Sequence, residues 1–201
     1  MVKSFKSSDS SINKLLAKPN AVAFRILDKL GVRFVTRHLF DVFRVLRFLE
    51  EKNLISFPHG ITDESNNTIY PLDLFFQTME SFAKGKDYSL EEIDQKLIER
   101  LNQDGGKAQY LKKLNMFSSG EYRFLKFITR RLIHVEIPMG EKNRQLNFFY
   151  PYEIQIMDYE TYTKNLSGSS SHEKYKLRQR KFARRRILAF LGKDASFDGK
   201  E

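Results

Sequence analysis

The chain has 201 residues, 41% of them hydrophobic, with 18 Phe and 9 Tyr, enough apolar mass for one domain with a real core and too much for a disordered chain. It has no Cys, which excludes disulfides, zinc–thiolate sites and a cysteine nucleophile. Lys and Arg number 35 against 25 acids, a formal charge of +10, and a surplus of this size favours polyanionic partners such as nucleotides or nucleic acid.

The opening MVKSFKSSDSSINK has no apolar signal-peptide core, and no apolar run approaches the roughly eighteen residues of a membrane span. A soluble, cytoplasmic protein with no membrane partner is expected. Residues 10–18, SSINKLLAK, read as a short helix stopped by Pro19 and Asn20. VRFVT, 32–36, is β-branched and aromatic and follows Gly31, so it reads as a strand. HLFDVFRVLRFLEE then places Leu39, Val42, Phe43, Leu46 and Leu49 at helical spacing.

Residues 51–120 differ in character. FPHGITDESNNT is rich in turn formers and PLDLFFQTMESFAK looks helical. Ser89 and Glu92 can form a capping box for LEEIDQKLIERLNQ, a helix that stops at DGG. This stretch reads as a mainly helical insertion or lid. RRLIHVEIP and NFFYPYEIQIMD follow as two strands joined by MGEKN, a hairpin. A basic helix runs from about His172 to Leu191, and 192–201 reads as a flexible tail. The whole of 1–201 is expected to be a single domain.

Three places carry residue types suited to phosphate chemistry. In FKSSDSSINKLL, Ser10 and Lys14 lie four apart on one helical face, with Lys6 a turn earlier; two ammonium groups and a hydroxyl suit a row of phosphates, although a solvated basic face has the same pattern. DKLGVR puts Asp28 at the mouth of the first strand, Gly31 where backbone can approach closely, and Arg33 as a fixed cationic fork. In YEIQIMD, Ile154 and Ile156 alternate with Glu153 and Gln155, so one face is apolar and the other carries an acid and an amide. Asp28 and Glu153 together offer two carboxylates to one Mg²⁺, an ion commonly held by one or two carboxylates plus substrate phosphates. Two acids sharing an ion repel when it is absent, so Glu153→Gln is expected to stabilise the metal-free fold slightly. His38, His59 and His134 have no company that makes them ligands.

In order and spacing these segments resemble the synthetase domain of the RelA/SpoT family, the (p)ppGpp synthetases, and especially the small stand-alone alarmone synthetases. FKSSDSSINKL resembles R-x-K-x-x-x-S-x-x-x-K-[LM], DKLGVRFVTRHLFDVFRVLRFL resembles the D-x-x-G-x-R strand–helix unit, and EIQIMD is similar to E-V-Q-I-R-T. Gly168, His172, Tyr175 and Lys176 follow Glu153 with the spacing of the family's G-x-x-x-H-x-x-Y-K. The matches cover roughly residues 1–50 and 145–180.

The resemblance implies an α+β fold with a mixed β-sheet flanked by helices, nucleotidyltransferase-like, with a helical insertion. It implies transfer of the β,γ-pyrophosphate of ATP to the 3′-hydroxyl of GDP or GTP, with Mg²⁺ as cofactor. Lys6, Ser10, Lys14 and Arg33 would hold ATP phosphates, with Tyr122, His172 and Lys176 as further nucleotide contacts. Asp28 and Glu153 would hold Mg²⁺, Glu153 would also help deprotonate the acceptor, and Gln155 would orient Glu153 or a phosphate oxygen. The pattern is broken at Ser4 and Met157, where the family has Arg. Its acceptor-loop tyrosine, which stacks on guanine, has only Tyr122 in SGEYRFLKF as a counterpart, farther from Glu153 than the family spacing. An RNA 3′ end is therefore an alternative acceptor, and a non-catalytic nucleotide- or RNA-binding module a third reading. His172 can equally be a helix cap. Arg184, Arg185 and Arg186 form a solvated helix face or a nucleic-acid contact, and a second copy of the chain is a further candidate partner.

Overall fold

The computed structural model describes residues 2–3, 7–18, 23, 26–83, 87–111, 123–140, 142–166 and 172–190. Its strands are β1 (Val2–Lys3), β2 (Gly31–Thr36), β3 (Gly60–Asn67), β4 (Leu125–Met139) and β5 (Lys142–Asp158), and its helices α1 (Ser8–Ala17), α2 (Leu39–Glu51), α3 (Leu72–Ala83), α4 (Leu90–Asp104), α5 (Tyr159–Leu166) and α6 (His172–Phe190). The strands form one mixed sheet in the order β1-β2-β5-β4-β3. β2 runs parallel to β5, and every other neighbouring pair is antiparallel. The fold is therefore α+β, with a mixed sheet flanked by helices.

The main core follows from the alternation along β5. Ile154 and Ile156 are buried on one face, in one core cluster with Val42 and Leu49 of α2, Leu74 of α3 and Leu97 of α4. Tyr70 is fully buried in this core and its hydroxyl donates to the Leu97 carbonyl at 3.1 Å. α4 starts with the expected capping box: the Ser89 hydroxyl accepts from the Glu92 N–H, and the Glu92 carboxylate accepts from the Ser89 N–H. A smaller core joins α1 to α6, with Ala17 against Ala183 and Tyr175 and Phe182 beside them. The exposed Arg186 guanidinium donates to the Leu16 carbonyl at the edge of this seam at 3.1 Å.

Two segments differ from their sequence reading. The turn-rich FPHGITDESNNT contains a 3-10 turn (Phe57–His59) followed by β3, an edge strand with a register shift between Ile61 and Asn66. Backbone pairing with β4 holds it, because only Asn66 and Asn67 are buried along its length. The Asn67 side chain then accepts from the N–H groups of Ile69 and Tyr70 and donates to the Tyr70 carbonyl, an Asx-type turn that redirects the chain into α3. The described residues of 51–120 thus supply an edge strand together with core residues Ile55, Ile69, Tyr70, Leu74 and Leu97. The second difference is α5, a helix that directly follows β5.

β4 and β5 pair over fifteen consecutive positions, from Leu125↔Ile156 to Met139↔Lys142. Their neighbours are shorter: β3 reaches only Thr129 on β4, and β2 begins opposite Glu153 on β5. The outer part of the hairpin, 130–139 with 142–151, therefore runs on as a two-stranded arm. Gly140, at φ +64°, closes it in the left-handed conformation that tight hairpin turns require.

Candidate functional site

The face of the sheet opposite the main core carries the expected polar residues. Parallel pairing sets Gly31 opposite Glu153 and Arg33 opposite Gln155, so these four share one face of two adjacent strands. The Arg33 Nε and Nη2 both donate to the Gln155 Oε1, at 3.1 and 2.9 Å. A guanidinium has no acceptor, so this contact fixes the amide with its oxygen towards Arg33. Arg33 also lies over the Tyr162 ring of α5, 5.9 Å from its centroid, within the range of a cation–π contact.

On the other flank of β5, antiparallel pairing sets Lys126 opposite Gln155 and Ile128 opposite Glu153. The Lys126 ammonium lies 3.6 Å from the Glu153 carboxylate, with side chains 18% and 11% exposed. Arg33, Gln155 and Lys126 therefore form a row across three strands, and Glu153 sits one step along it. The backbone is locked at the same place, since the Glu153 N–H donates to the Leu30 carbonyl at 2.9 Å.

The other expected residues gather around α1. Ser7 caps this helix by accepting from the Ser10 N–H. One turn along, the Lys14 ammonium meets the Asp28 carboxylate at 2.9 Å, with side chains 23% and 15% exposed. Lys176 of α6 donates to the Ser10 hydroxyl. Asp28 stands three residues ahead of Gly31, the partner of Glu153. Two acids and four cations thus line the polar face and its approach, a net positive lining that suits phosphate groups.

Three expected residues lie partly or wholly outside this description. Lys6 and Tyr122 fall outside the described residues, as does the 192–201 tail, and of His172 only the backbone, at the first position of α6, is described. Lys126 is the residue that the sequence reading missed. Its signal was the alternation in LKFI, which cannot be used until the register of β4 on β5 is known. His38 lies 3.4 Å from Asp94, His59 packs edge-on against Phe149 and His134 hydrogen-bonds Asn147, which accounts for each structurally.

Among the described residues no three His, Asp or Glu side chains gather as a ready metal cage. Asp28 and Glu153 instead each lie beside an ammonium group, those of Lys14 and Lys126. Clefts of about 420 and 430 Å³ lie beside α4, lined by Glu91, Asp94 and Glu99 and by Glu92 and Glu99; their acidic walls repel phosphate. No described helix is long and apolar enough to cross a membrane. The chain matches no protein-family model and no curated protein.

Proposed function

We propose that the chain is an ATP-dependent pyrophosphokinase with a nucleotidyltransferase-like fold, similar to the (p)ppGpp synthetases, transferring the β,γ-pyrophosphate of ATP to the 3′-hydroxyl of a guanine nucleotide. The observation that carries this reading is the row Arg33–Gln155–Lys126 with Glu153 beside it. A cationic fork, an amide held in one orientation and a carboxylate next to an ammonium are the parts that phosphoryl transfer needs for positioning and charge stabilisation.

In this scheme the 3′-oxygen attacks the β-phosphorus, the bond from that phosphorus to the α,β-bridging oxygen breaks, and AMP leaves with the bridging oxygen. Glu153 takes the proton of the attacking hydroxyl. Arg33, Lys14 and Lys126 hold the charge of the transferring group, and Gln155 keeps Arg33 in place. Magnesium bound by Asp28 and Glu153 would neutralise phosphate charge. Ser10 and Lys176, with Lys6 ahead of them, extend the phosphate track. Tyr122 and His172 are proposed as further nucleotide contacts. A cytoplasmic site of action is part of this proposal.

A second acceptor, an RNA 3′ end, is favoured by the outer face of α6. Lys174, Arg180, Lys181, Arg184 and Arg185 are all exposed there, with Glu173 the only acid of the helix, and such a stripe follows a nucleic-acid backbone. Incubation of the protein with Mg²⁺ and γ-labelled ATP plus GDP, GTP or tRNA, followed by separation of the products, decides the acceptor. Label on a nucleotide supports the first reading and label on tRNA the second. Label on neither makes the chain a binding module and removes the proposal.

A further inference from the structure

We infer that two copies of this chain associate through the apolar face of the β4–β5 arm, stacked root to tip. This is independent of any catalytic role. The fifteen-pair register puts Ile133, Val135, Ile137 and Met139 of β4 on one face with Leu146 and Phe148 of β5, and Arg131, Arg144 and Tyr150 lie on the same face. Val135 is 38% exposed, Ile137 41%, Met139 60%, Leu146 47% and Phe148 38%. The reverse face carries His134, Glu136, Asn143, Gln145 and Asn147 beyond Leu132 and Phe149, so the arm is amphipathic with a period of two. Its apolar face continues the face that carries Phe127, Ile154 and Ile156 into the main core. The cover ends near Tyr152, whose hydroxyl donates to the Leu54 carbonyl just after α2. A two-stranded hairpin is marginal in water by itself, and this one extends ten residues beyond its neighbours with apolar side chains uncovered.

Three features select a second copy as the cover. The helical layer stands on the same face at the root, so root-over-root stacking would drive two helical layers together. A two-fold axis lying between the arms and perpendicular to the strands places the two bodies at opposite ends. About that axis the side chains are self-complementary. Val135 meets Val135 and Leu146 meets Leu146 at the centre. Ile133 meets Ile137, Phe148 meets Arg144 as a cation–π pair, and Arg131 meets the Met139 thioether. The area is marginal but sufficient: ten residues per strand span about 33 Å and two strands about 10 Å, a flat footprint of about 330 Å² per copy, and with the relief of the side chains the two faces together bury at most about 1,000 Å², the lower bound of a specific interface. Edge-to-edge pairing of the arms is disfavoured by Pro138 on one edge and Pro151 on the other.

The test is sedimentation velocity on the full chain from about 1 µM to about 100 µM, with Val135→Lys and Val135→Asp alone and mixed. The wild type is expected to show a concentration-dependent dimer. Each variant alone is expected to be monomeric, since it sets like charges against each other on the axis, and the equimolar mixture should recover the dimer. Val135 lies outside both cores, so unchanged thermal unfolding certifies the fold of the variants. A wild type that stays monomeric throughout overturns the inference, whatever else binds the arm. So does a dimer that both variants retain, or a mixture that stays monomeric.

Discussion

Replacing Glu153 with Gln tests whether the polar face is organised as a set of charge pairs. From sequence alone, two nearby acids predict that the change relieves repulsion and stabilises the metal-free protein. Lys126 reverses that sign, because it lies 3.6 Å from the Glu153 carboxylate and both side chains are mostly buried. The Coulomb attraction at this distance is about 5 kcal/mol for an effective dielectric of about 20. Desolvation of both groups offsets most of it, and the pair is neither surface-exposed nor wholly buried, so removing the carboxylate should cost about 1–2 kcal/mol. For a chain of this size that lowers the melting temperature by about 2–8 °C. Urea unfolding of Glu153→Gln, Lys126→Met and the double variant forms a cycle that isolates the pair. The double variant should lose clearly less than the sum of the single losses. Additive losses, or a Glu153→Gln protein as stable as the wild type, would refute the pairing.

Burial holds the Tyr70 and Tyr152 hydroxyls above the ordinary phenol range. The unfolded chain therefore ionises first as pH passes about 10, and stability that is complete below that pH falls as pH rises towards the folded values; Tyr70→Phe should flatten the fall in urea midpoint. The hydrogen bond from the Ser89 N–H holds the Glu92 carboxylate below its usual range. That contribution is present above about pH 4 and is lost as pH falls through the folded value, while Ser89→Ala should cost about 1 kcal/mol at neutral pH by chemical denaturation. Lys14→Ala should weaken Mg-ATP binding about tenfold or more by titration calorimetry while the fold survives; unchanged affinity would return Lys14 to a structural pairing with Asp28.

The helices other than α5 were legible because their signals are local. α2 announces itself through apolar spacing and α4 through Ser89 and Glu92, and neither needs knowledge of distant chain. β5 was legible because the alternation of Glu153, Ile154, Gln155 and Ile156 separates a wet face from a dry one. β3 was not, since its residues are polar and its order comes from backbone bonds to β4, sixty or so residues later. α5, YETYTKNL, follows β5 with no intervening turn signal and was passed over. In the site, the residue types at Arg33, Glu153 and Gln155 could be read, but the contact between Arg33 and Gln155 depends on a parallel register across 122 positions of sequence separation. Lys126 was invisible for the same reason: a lysine in an amphipathic strand joins a site only once its neighbour across the ladder is known.

The central claim is that Glu153 serves the transfer of pyrophosphate from ATP. The most direct measurement is AMP release from Mg-ATP, with GDP, GTP and tRNA supplied in turn, for the wild type and Glu153→Gln side by side, with ATP binding measured on the same samples. The expected result is AMP formed in step with one labelled acceptor by the wild type, and a rate lower by about 10²–10³ in the variant, which still binds ATP. A wild type that releases no AMP with any acceptor, or a variant that releases it at the wild-type rate, would contradict the claim.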